Sequence, residues 1–249
     1  MLRQFKRTKL LCALRVISLS VPILAANATS ITVPNFSFES PALPNGSNNN
    51  GGNGDTTAIP GWTITAPASS GANNGVYHPA SGFTSTNPLP APADWNQVAY
   101  LFPGAAGATS SITTTNSLGS VAPNLDYVLT VALGNRNDAL FFDTGTYTIA
   151  LLANGVSVAQ TNFAGNLIAH GTFVDVSTSF VSPSSGPLIG ESLTIELSAT
   201  AGSSSDEGIL DNVRLTASSV PDTGSTFALL LLSLTALFSA ARFRSNSLA

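Results

Sequence analysis

The regular alternation of apolar and polar residues is the feature that most constrains how this 249-residue chain folds. In residues 192–198 every second side chain is apolar, and the side chains between them, such as Thr194 and Glu196, are hydrophilic. The same period of two recurs at residues 127–133, 147–151, 174–180 and 209–215, and turn dipeptides such as Asn154-Gly155 separate these segments. A period of two places alternate side chains on opposite faces of a β-strand. We therefore predict an all-β domain at residues 29–219, a single jelly-roll β-sandwich.

The charge of this domain excludes one large class of partners. Residues 29–219 contain two cations, Arg136 and Arg214, against twelve carboxylates, a net charge of −10. The whole-chain charge of −4 hides this asymmetry because seven of the nine Lys and Arg residues lie in the two termini. So acidic a surface repels phosphate backbones, and we predict no binding to nucleic acid.

The first 28 residues have the pattern of an export signal. Arg3, Lys6, Arg7 and Lys9 form a basic start, an apolar stretch follows, and small residues precede a cleavage site that we place after Ala28. The single cysteine, Cys12, lies within the predicted signal peptide. The mature chain then has no cysteine, and its fold is held by core burial or by a metal ion rather than by disulfides.

The last 30 residues form a tail of three parts. A motif that ends the preceding fold comes first, an uncharged run bounded by Phe227 and Ala241 follows, and the basic residues Arg242 and Arg244 close it. The motif consists of Val220, Pro221, Asp222, Thr223, Gly224 and Ser225. Fifteen helical residues rise about 22 Å, which is short for a hydrocarbon core of about 30 Å. We predict a short transmembrane helix with its basic end in the cytoplasm.

This tail resembles the VPDSG variant of the PEP-CTERM sorting signal, with Thr223 at the position of a serine. The resemblance implies export, transient anchoring in the inner membrane, and recognition by an exosortase-like transpeptidase. It further implies that the mature protein resides at the cell surface or outside the cell.

One carboxylate in the domain is out of place. In the segment 208–215, alternation puts Asp211 on the face of Ile209, Val213 and Leu215, which is predicted to be the core. A buried carboxylate is costly unless it is paired or binds a metal, and calcium takes oxygen ligands of this kind. Pairing with Arg214, or capping of backbone amides, are the alternatives.

A second resemblance bears on this carboxylate. Asn35-Phe36-Ser37-Phe38-Glu39, Ile59-Pro60-Gly61-Trp62 and Leu210-Asp211-Asn212-Val213 are similar to signatures of galactose-binding-like jelly rolls, a family rich in carbohydrate-binding modules. The resemblance implies a structural calcium shared by Glu39 and Asp211. An exposed strand end is the alternative for Glu39.

The resemblance also directs attention to aromatic residues, since sugar rings pack on them. We expect Trp62 in the core, and we name Trp95, Tyr77 and Arg136 as candidate ligand contacts. The alternative for Arg136 is a structural ion pair with Asp138 or Asp143. The Asn- and Gly-rich residues 45–55 are predicted to be a mobile surface loop.

Signs of catalysis are weak in the sequence. The mature chain has two histidines without metal-ligand spacing, and it has neither a nucleophile elbow nor a phosphate loop. We therefore predict a non-enzymatic exported protein that binds or accompanies extracellular polysaccharide. The alternative is a secreted glycan-active hydrolase that uses a carboxylate pair.

Overall fold

The computed structural model describes residues 28–52, 54–55, 57–68, 71–80, 89–138, 141–220, 231–232 and 235. These residues form eleven strands and one short 3₁₀ helix, Gly165–Leu167. The strands are β1 (Ala28–Ile31), β2 (Trp62–Thr65), β3 (Asn73–Tyr77), β4 (Val98–Phe102), β5 (Thr109–Thr114), β6 (Leu125–Asn135), β7 (Thr146–Ala153), β8 (Val156–Ala164), β9 (Thr172–Val181), β10 (Leu193–Thr200) and β11 (Gly208–Ser219).

The strands form two antiparallel sheets that pack face to face. One sheet has the order β3-β4-β11-β6-β9, with β1 paired to the far end of β11, and the other has the order β2-β5-β10-β7-β8. β11 is central to the first sheet, since β4 pairs with its first residues, β1 with its last, and β6 with most of its length. The predicted all-β sandwich is confirmed.

The alternating segments form the strands because their apolar faces meet between the sheets. Ile195 and Leu197 of β10 are fully buried, whereas Thr194 and Glu196 point to the outer side. Trp62 is also fully buried in this core, where its ring lies 5.7 Å from that of Phe38 and its Nε1 donates a hydrogen bond to the Pro34 carbonyl at 2.9 Å.

One local prediction is confirmed, and two need correction. The hairpin between β7 and β8 turns at Asn154-Gly155 as expected, with both residues at positive φ. The richness of residues 66–93 in Pro, Gly, Ser and Asn predicts an irregular segment, but the structure places the strand β3 within it. Residues 46–51 run antiparallel to β3 rather than forming a free loop.

Little of the predicted tail lies within the described residues. Val220 is described, whereas the motif residues Pro221 to Ser225 and most of the run between Phe227 and Ala241 lie outside, as do Arg242 and Arg244. Leu231, Leu232 and Thr235 are helical. Within the described part of the chain, no helix has the length and apolar character needed to cross a membrane. The predicted signal peptide also lies outside the described residues, apart from Ala28.

Candidate functional site

A cleft of about 320 Å³ opens at the β3 side of the first sheet. Its walls combine aromatic rings, amides and one ion pair. The lining residues are Gly46, Asn48, Asn73, Tyr77, Phe102, Arg136 and Glu207.

One wall of the cleft is formed by residues 46–51, which we call the strap. Backbone hydrogen bonds join it to β3 and the residue after it, from Gly46 N to His78 O (2.8 Å), from Asn49 N to Val76 O (3.1 Å) and from Gly51 N to Asn74 O (2.6 Å). The approach is so close that a Cβ atom on Gly75 would lie 2.0 Å from the Asn49 carbonyl oxygen. The predicted mobile loop is therefore wrong for these residues, because the edge of β3 satisfies their backbone groups.

Tyr100 of β4 holds the strap and β3 together. Its hydroxyl lies 2.7 Å from Asn49 O, 2.8 Å from Asn50 Oδ1 and 2.7 Å from Asn73 Oδ1. A tyrosine hydroxyl has a single proton, so it donates to one of these oxygens at a time. Burial, with a smaller contribution from the charge of Glu207, raises the Tyr100 pKa well above its usual range. This phenol is therefore a neutral, structural hydrogen-bonding group.

The cleft floor is an ion-pair cluster at the end of β6 and the start of β11. Arg136 binds Asp138 through two hydrogen bonds, Nε to Oδ1 at 2.8 Å and Nη2 to Oδ2 at 2.5 Å. Its Nη1 contacts Glu207 Oε1, and its guanidinium carbon lies 5.1 Å from the centre of the Tyr77 ring. β6 and β11 are neighbours in the sheet, which brings Arg136 and Glu207 together across 71 positions of sequence.

Glu207 is a buried carboxyl that lines the cleft. Its side chain is 8% exposed, and burial raises the pKa of its carboxyl, while Arg136 opposes this shift. The side chain lines the cleft, and the hydrogen bond to its Oε1 comes from Arg136. A raised pKa on a carboxyl in a cleft is typical of groups that transfer protons.

The structure separates the three residues named as ligand contacts. Tyr77 and Arg136 both line the cleft. Trp95 lies elsewhere, 63% exposed and at positive φ, in the loop before β4. Arg136 also makes the expected ion pair with Asp138, whereas Asp143 binds His170 and Asn135.

The carboxylates of Glu39 and Asp211 meet at the loop before β4. Glu39 Oε1 accepts hydrogen bonds from the backbone N–H groups of Asn96 (2.8 Å) and Gln97 (2.7 Å), and Asp211 Oδ2 accepts one from Asp94 (2.6 Å). Asp211 is fully buried, and its Oδ1 has no hydrogen-bond partner. Burial, together with the charges of Asp94 and Glu39, raises the Asp211 pKa to about 8.

Asp211 does not point into the core between the sheets. A bulge between Asp211 and Arg214, with Asn212 at positive φ, reverses the alternation within β11. Leu210 and Val213 therefore face the main core, while Asp211 lies on the other face, under the loop before β4. Arg214 pairs with Asp175 instead of Asp211.

The cleft residues that the sequence did not indicate are mostly polar. Glu207 stands in the serine-rich turn 202–207 and carried no motif, and Asn73 and Phe102 lie on strands of weak alternation. The available signal was a pair of adjacent carboxylates, Asp206 and Glu207, directly before a strongly apolar strand.

The described residues thus form a β-sandwich with an aromatic and ionisable cleft beside one sheet. The chain belongs to the HpiC1-like family: the model described as HpiC1 cyclase matches residues 29–216. The VPDSG-CTERM motif matches residues 219–242, so the protein is exported and carries a C-terminal sorting signal. A comparison with curated proteins gives no match.

Solved structures agree with this assignment. An apo cyclase from Fischerella sp. is 26% identical, with a TM-score of 0.65, over 78% of this chain and 98% of that one. A cyclase from Fischerella sp. TAU in complex with 4-(1H-indol-3-yl)butan-2-one is 26% identical, with a TM-score of 0.60, over 78% and 100% of the two chains. Carbohydrate-binding modules are also among the structural neighbours, such as TmCBM61 with β-1,4-galactotriose, at 10% identity and a TM-score of 0.46 over 75% and 97%.

The prediction of a non-enzymatic protein is therefore wrong. The family and the cyclase structures indicate an enzyme. The cleft is lined by a buried carboxyl beside an arginine, and no histidine spacing, nucleophile elbow or pair of glutamates marks these two residues in the sequence.

Proposed function

We propose that this protein is an exported enzyme that cyclises or rearranges a small aromatic compound in the cleft, with Glu207 as the group that transfers the proton. The observation that carries the proposal is the Glu207 carboxyl, which is buried beside Arg136, lines the cleft and has a raised pKa.

The proposed reaction is an isomerisation that begins with protonation. Glu207 gives its proton to a carbon–carbon double bond of the substrate, which leaves a cation that the nucleophilic carbon of an aromatic ring attacks to close the new ring. The ring then loses a proton to the Glu207 carboxylate, so that atoms and charge balance and the enzyme returns to its first state. Arg136 stabilises the carboxylate that exists between these two steps.

The aromatic walls suit a flat substrate. Tyr77 and Phe102 supply ring faces, and the amides of Asn48 and Asn73 supply polar contacts at the rim of the same cleft. One of the related cyclases binds an indole ketone, which supports an indole-like ring as the substrate core.

The test is incubation of the purified protein with indoles that carry an unsaturated side chain. A cyclised product has the mass of its substrate but a different chromatographic retention, so liquid chromatography with mass spectrometry detects it. Glu207→Gln should abolish the product, whereas Glu196→Gln, the same change on the outer face of β10, should not. Equal turnover by both variants would exclude Glu207 as the proton-transfer group.

Association with polysaccharide remains a second candidate function. The exposed Trp95 supports it, since a ring 63% exposed offers a platform for a sugar. Glycan-array binding that is lost in Trp95→Ala is the expected outcome, and unchanged binding by that variant would exclude this surface.

We also propose a structural calcium ion at Glu39 and Asp211. The unpartnered Asp211 Oδ1 and the convergence of both carboxylates on residues 94–97 fit a cation with oxygen ligands. Among the described residues no group of three or more His, Cys, Asp or Glu side chains is arranged to hold a metal, so backbone carbonyls would complete the shell. The ion would tie the first residues of the domain to β11.

The termini complete the proposal. We propose that residues 1–28 are removed on export, that residues 29–219 form the mature domain, and that an exosortase-like enzyme recognises the tail at residues 220–249 while it is transiently anchored in the inner membrane. The match to the sorting motif supports the partner.

A further inference from the structure

We infer that Tyr147 is a positioning residue of the cleft: its hydroxyl bridges the two strands whose ends adjoin Arg136 and Glu207. The inference rests on the proposed function where it concerns turnover, since Glu207 is the proposed proton-transfer group. It is carried by two hydrogen bonds of a fully buried phenol that reaches β6 and β11 from the opposite sheet.

Tyr147 bridges the last paired residues of β6 and β11. Its hydroxyl oxygen lies 2.6 Å from Gly134 O and 2.7 Å from Ile209 N. Gly134 and Ile209 are partners in the register of the two strands, and they form the final pair at this end of the ladder. Arg136 lies two residues beyond Gly134, and Glu207 lies two residues before Ile209. The bridge therefore fixes the separation of the strands next to the point where Arg136 and Glu207 meet.

The direction of both hydrogen bonds is set by their partners. A backbone N–H only donates and a carbonyl oxygen only accepts, so the hydroxyl accepts from Ile209 and donates its single proton to Gly134. Burial raises the pKa of the Tyr147 hydroxyl above its usual range, and the charge of Glu207 acts in the same direction. The hydroxyl thus keeps its proton, and the bridge persists, while the carboxyl of Glu207 titrates.

Close packing holds the Tyr147 ring in place. The residue extends from β7 of the second sheet, and its ring centre lies 4.4 Å from that of Phe142. Gly208, the first residue of β11, leaves room for the ring: a Cβ atom there would lie 2.8 Å from Tyr147 Cε1 and 2.8 Å from Ala199 Cβ. A larger residue at position 208 would displace the ring, so the bridge requires this glycine beside Glu207.

The environment of Glu207 depends on the position of the strand ends. Burial raises the pKa of its carboxyl, while Arg136 opposes this shift and the charge of Asp138 adds to it. Asp206, a further carboxylate, precedes it directly in the sequence. A movement of β11 away from β6 would therefore change both the burial of Glu207 and its distance from Arg136.

Removal of the hydroxyl should loosen this end of the ladder. In Tyr147→Phe the Ile209 N–H and the Gly134 carbonyl lose their shared partner, and buried polar groups are stable only when water or another group binds them. Water beside Glu207 stabilises its charged form. We therefore expect the pKa of the Glu207 carboxyl to fall toward the ordinary value of a glutamate.

Nuclear magnetic resonance of protein with isotope-labelled glutamate carboxyl carbons measures this pKa. The chain has four glutamates, and the signal that disappears in Glu207→Gln is that of Glu207. We expect its titration midpoint to be lower by at least about half a pH unit in Tyr147→Phe than in the wild-type protein. The measurement requires neither a substrate nor turnover.

Tyr127→Phe is the matched control. Tyr127 is also buried, and its hydroxyl accepts a hydrogen bond from the Ala122 N–H at 2.8 Å, near the opposite end of β6. Its loss removes a buried hydrogen bond away from the cleft, so the midpoint of Glu207 should not move. A shift in Tyr147→Phe alone supports the bridge. No shift in Tyr147→Phe, or an equal shift in both variants, refutes it.

A measurement on the wild-type protein covers the case in which Tyr147→Phe does not fold, which urea denaturation detects. The Gly134 carbonyl carbon should change its chemical shift with the midpoint of Glu207, because the hydroxyl that binds this carbonyl responds to the charge of Glu207. A Gly134 signal that stays constant across the titration refutes the coupling.

Turnover separates this inference from the proposed function. If the indoles are cyclised, Tyr147→Phe should lower kcat by about tenfold with little change in KM, because Tyr147 is buried and does not line the cleft. An unchanged kcat in a variant whose Glu207 midpoint has moved refutes Glu207 as the proton-transfer group and leaves the bridge intact. If no indole is cyclised, the proposed reaction fails, and the titration still decides the role of Tyr147.

Discussion

Replacement of Asp211 by asparagine separates the cost of burying this carboxyl from the benefit of binding calcium through it. In the metal-free protein the carboxyl is fully buried and its pKa is about 8. The unfolded chain ionises the same group near pH 3.9. As pH rises from about 4 to 8, the unfolded state loses a proton that the folded state keeps, so the free energy of unfolding falls by about 1.4 kcal/mol per pH unit.

The size of the effect at neutral pH follows from these two values. About three pH units separate the unfolded pKa from pH 7, which amounts to roughly 4 kcal/mol of destabilisation of the metal-free protein. Asparagine has the same shape and no charge, so Asp211→Asn should recover up to this amount in the presence of a chelator. The penalty is absent below about pH 4 and complete above about pH 8.

Calcium should reverse this dependence. The ion requires the ionised carboxylate, so its binding releases the proton, and the calcium affinity should rise by about tenfold per pH unit below pH 8. The wild-type protein should be stabilised by calcium at pH 8 and scarcely at pH 5, and Asp211→Asn should not respond at either pH.

Urea denaturation at pH 5, 7 and 8, with calcium and with EDTA, measures all of these quantities. Asp175→Asn is the control, since it removes the same charge from an exposed pair with Arg214 on the outer side of the sheet. If the wild-type protein has equal stability with calcium and with EDTA, the calcium site is refuted. If its stability in EDTA increases from pH 5 to pH 8, the assignment of Asp211 as a buried, protonated carboxyl is refuted.

Three further predictions follow from the packing and from the tail. Trp62→Ala should lower the free energy of unfolding by about 3–5 kcal/mol in urea denaturation, because its fully buried ring leaves a cavity; a loss below about 1 kcal/mol would contradict this. Gly75→Ala should weaken binding of indoles, because its Cβ atom would displace the strap at Asn49. Gly52→Ala should leave binding unchanged, because the space around its Cβ position is open. Calorimetric titration of both variants tests this prediction. Mass spectrometry of surface material should find a mature chain that ends within residues 220–225, and an intact C-terminus would refute processing.

Alternation predicted the strands whose two faces differ. The strand β10 is predictable because apolar residues such as Ile195 alternate with polar residues such as Glu196. In the structure Ile195 is buried and Glu196 faces outward. β3 was missed because its first residues, Asn73, Asn74 and Gly75, carry no apolar pattern. They form a strand because β4 pairs with one side and the strap with the other.

The cleft could not be predicted because its residues come from segments that only the sheet order brings together. Arg136 ends β6 and Glu207 precedes β11, and the two residues meet because these strands are adjacent. The position of Asp211 was missed for a different reason. Alternation assumes a regular strand, and the bulge at Asn212 exchanges the two faces of β11.

β11 also determines how the exported domain is presented. Glu207 directly precedes its first residue, and Val220, the first residue of the sorting motif, directly follows its last. Twelve residues of strand separate these two points by roughly 40 Å. Ala28 pairs with Ser218, so the chain also enters the domain at the end from which the tail leaves. If the tail is anchored in a membrane as we propose, the anchor would leave the domain at the end of β11 opposite to Glu207.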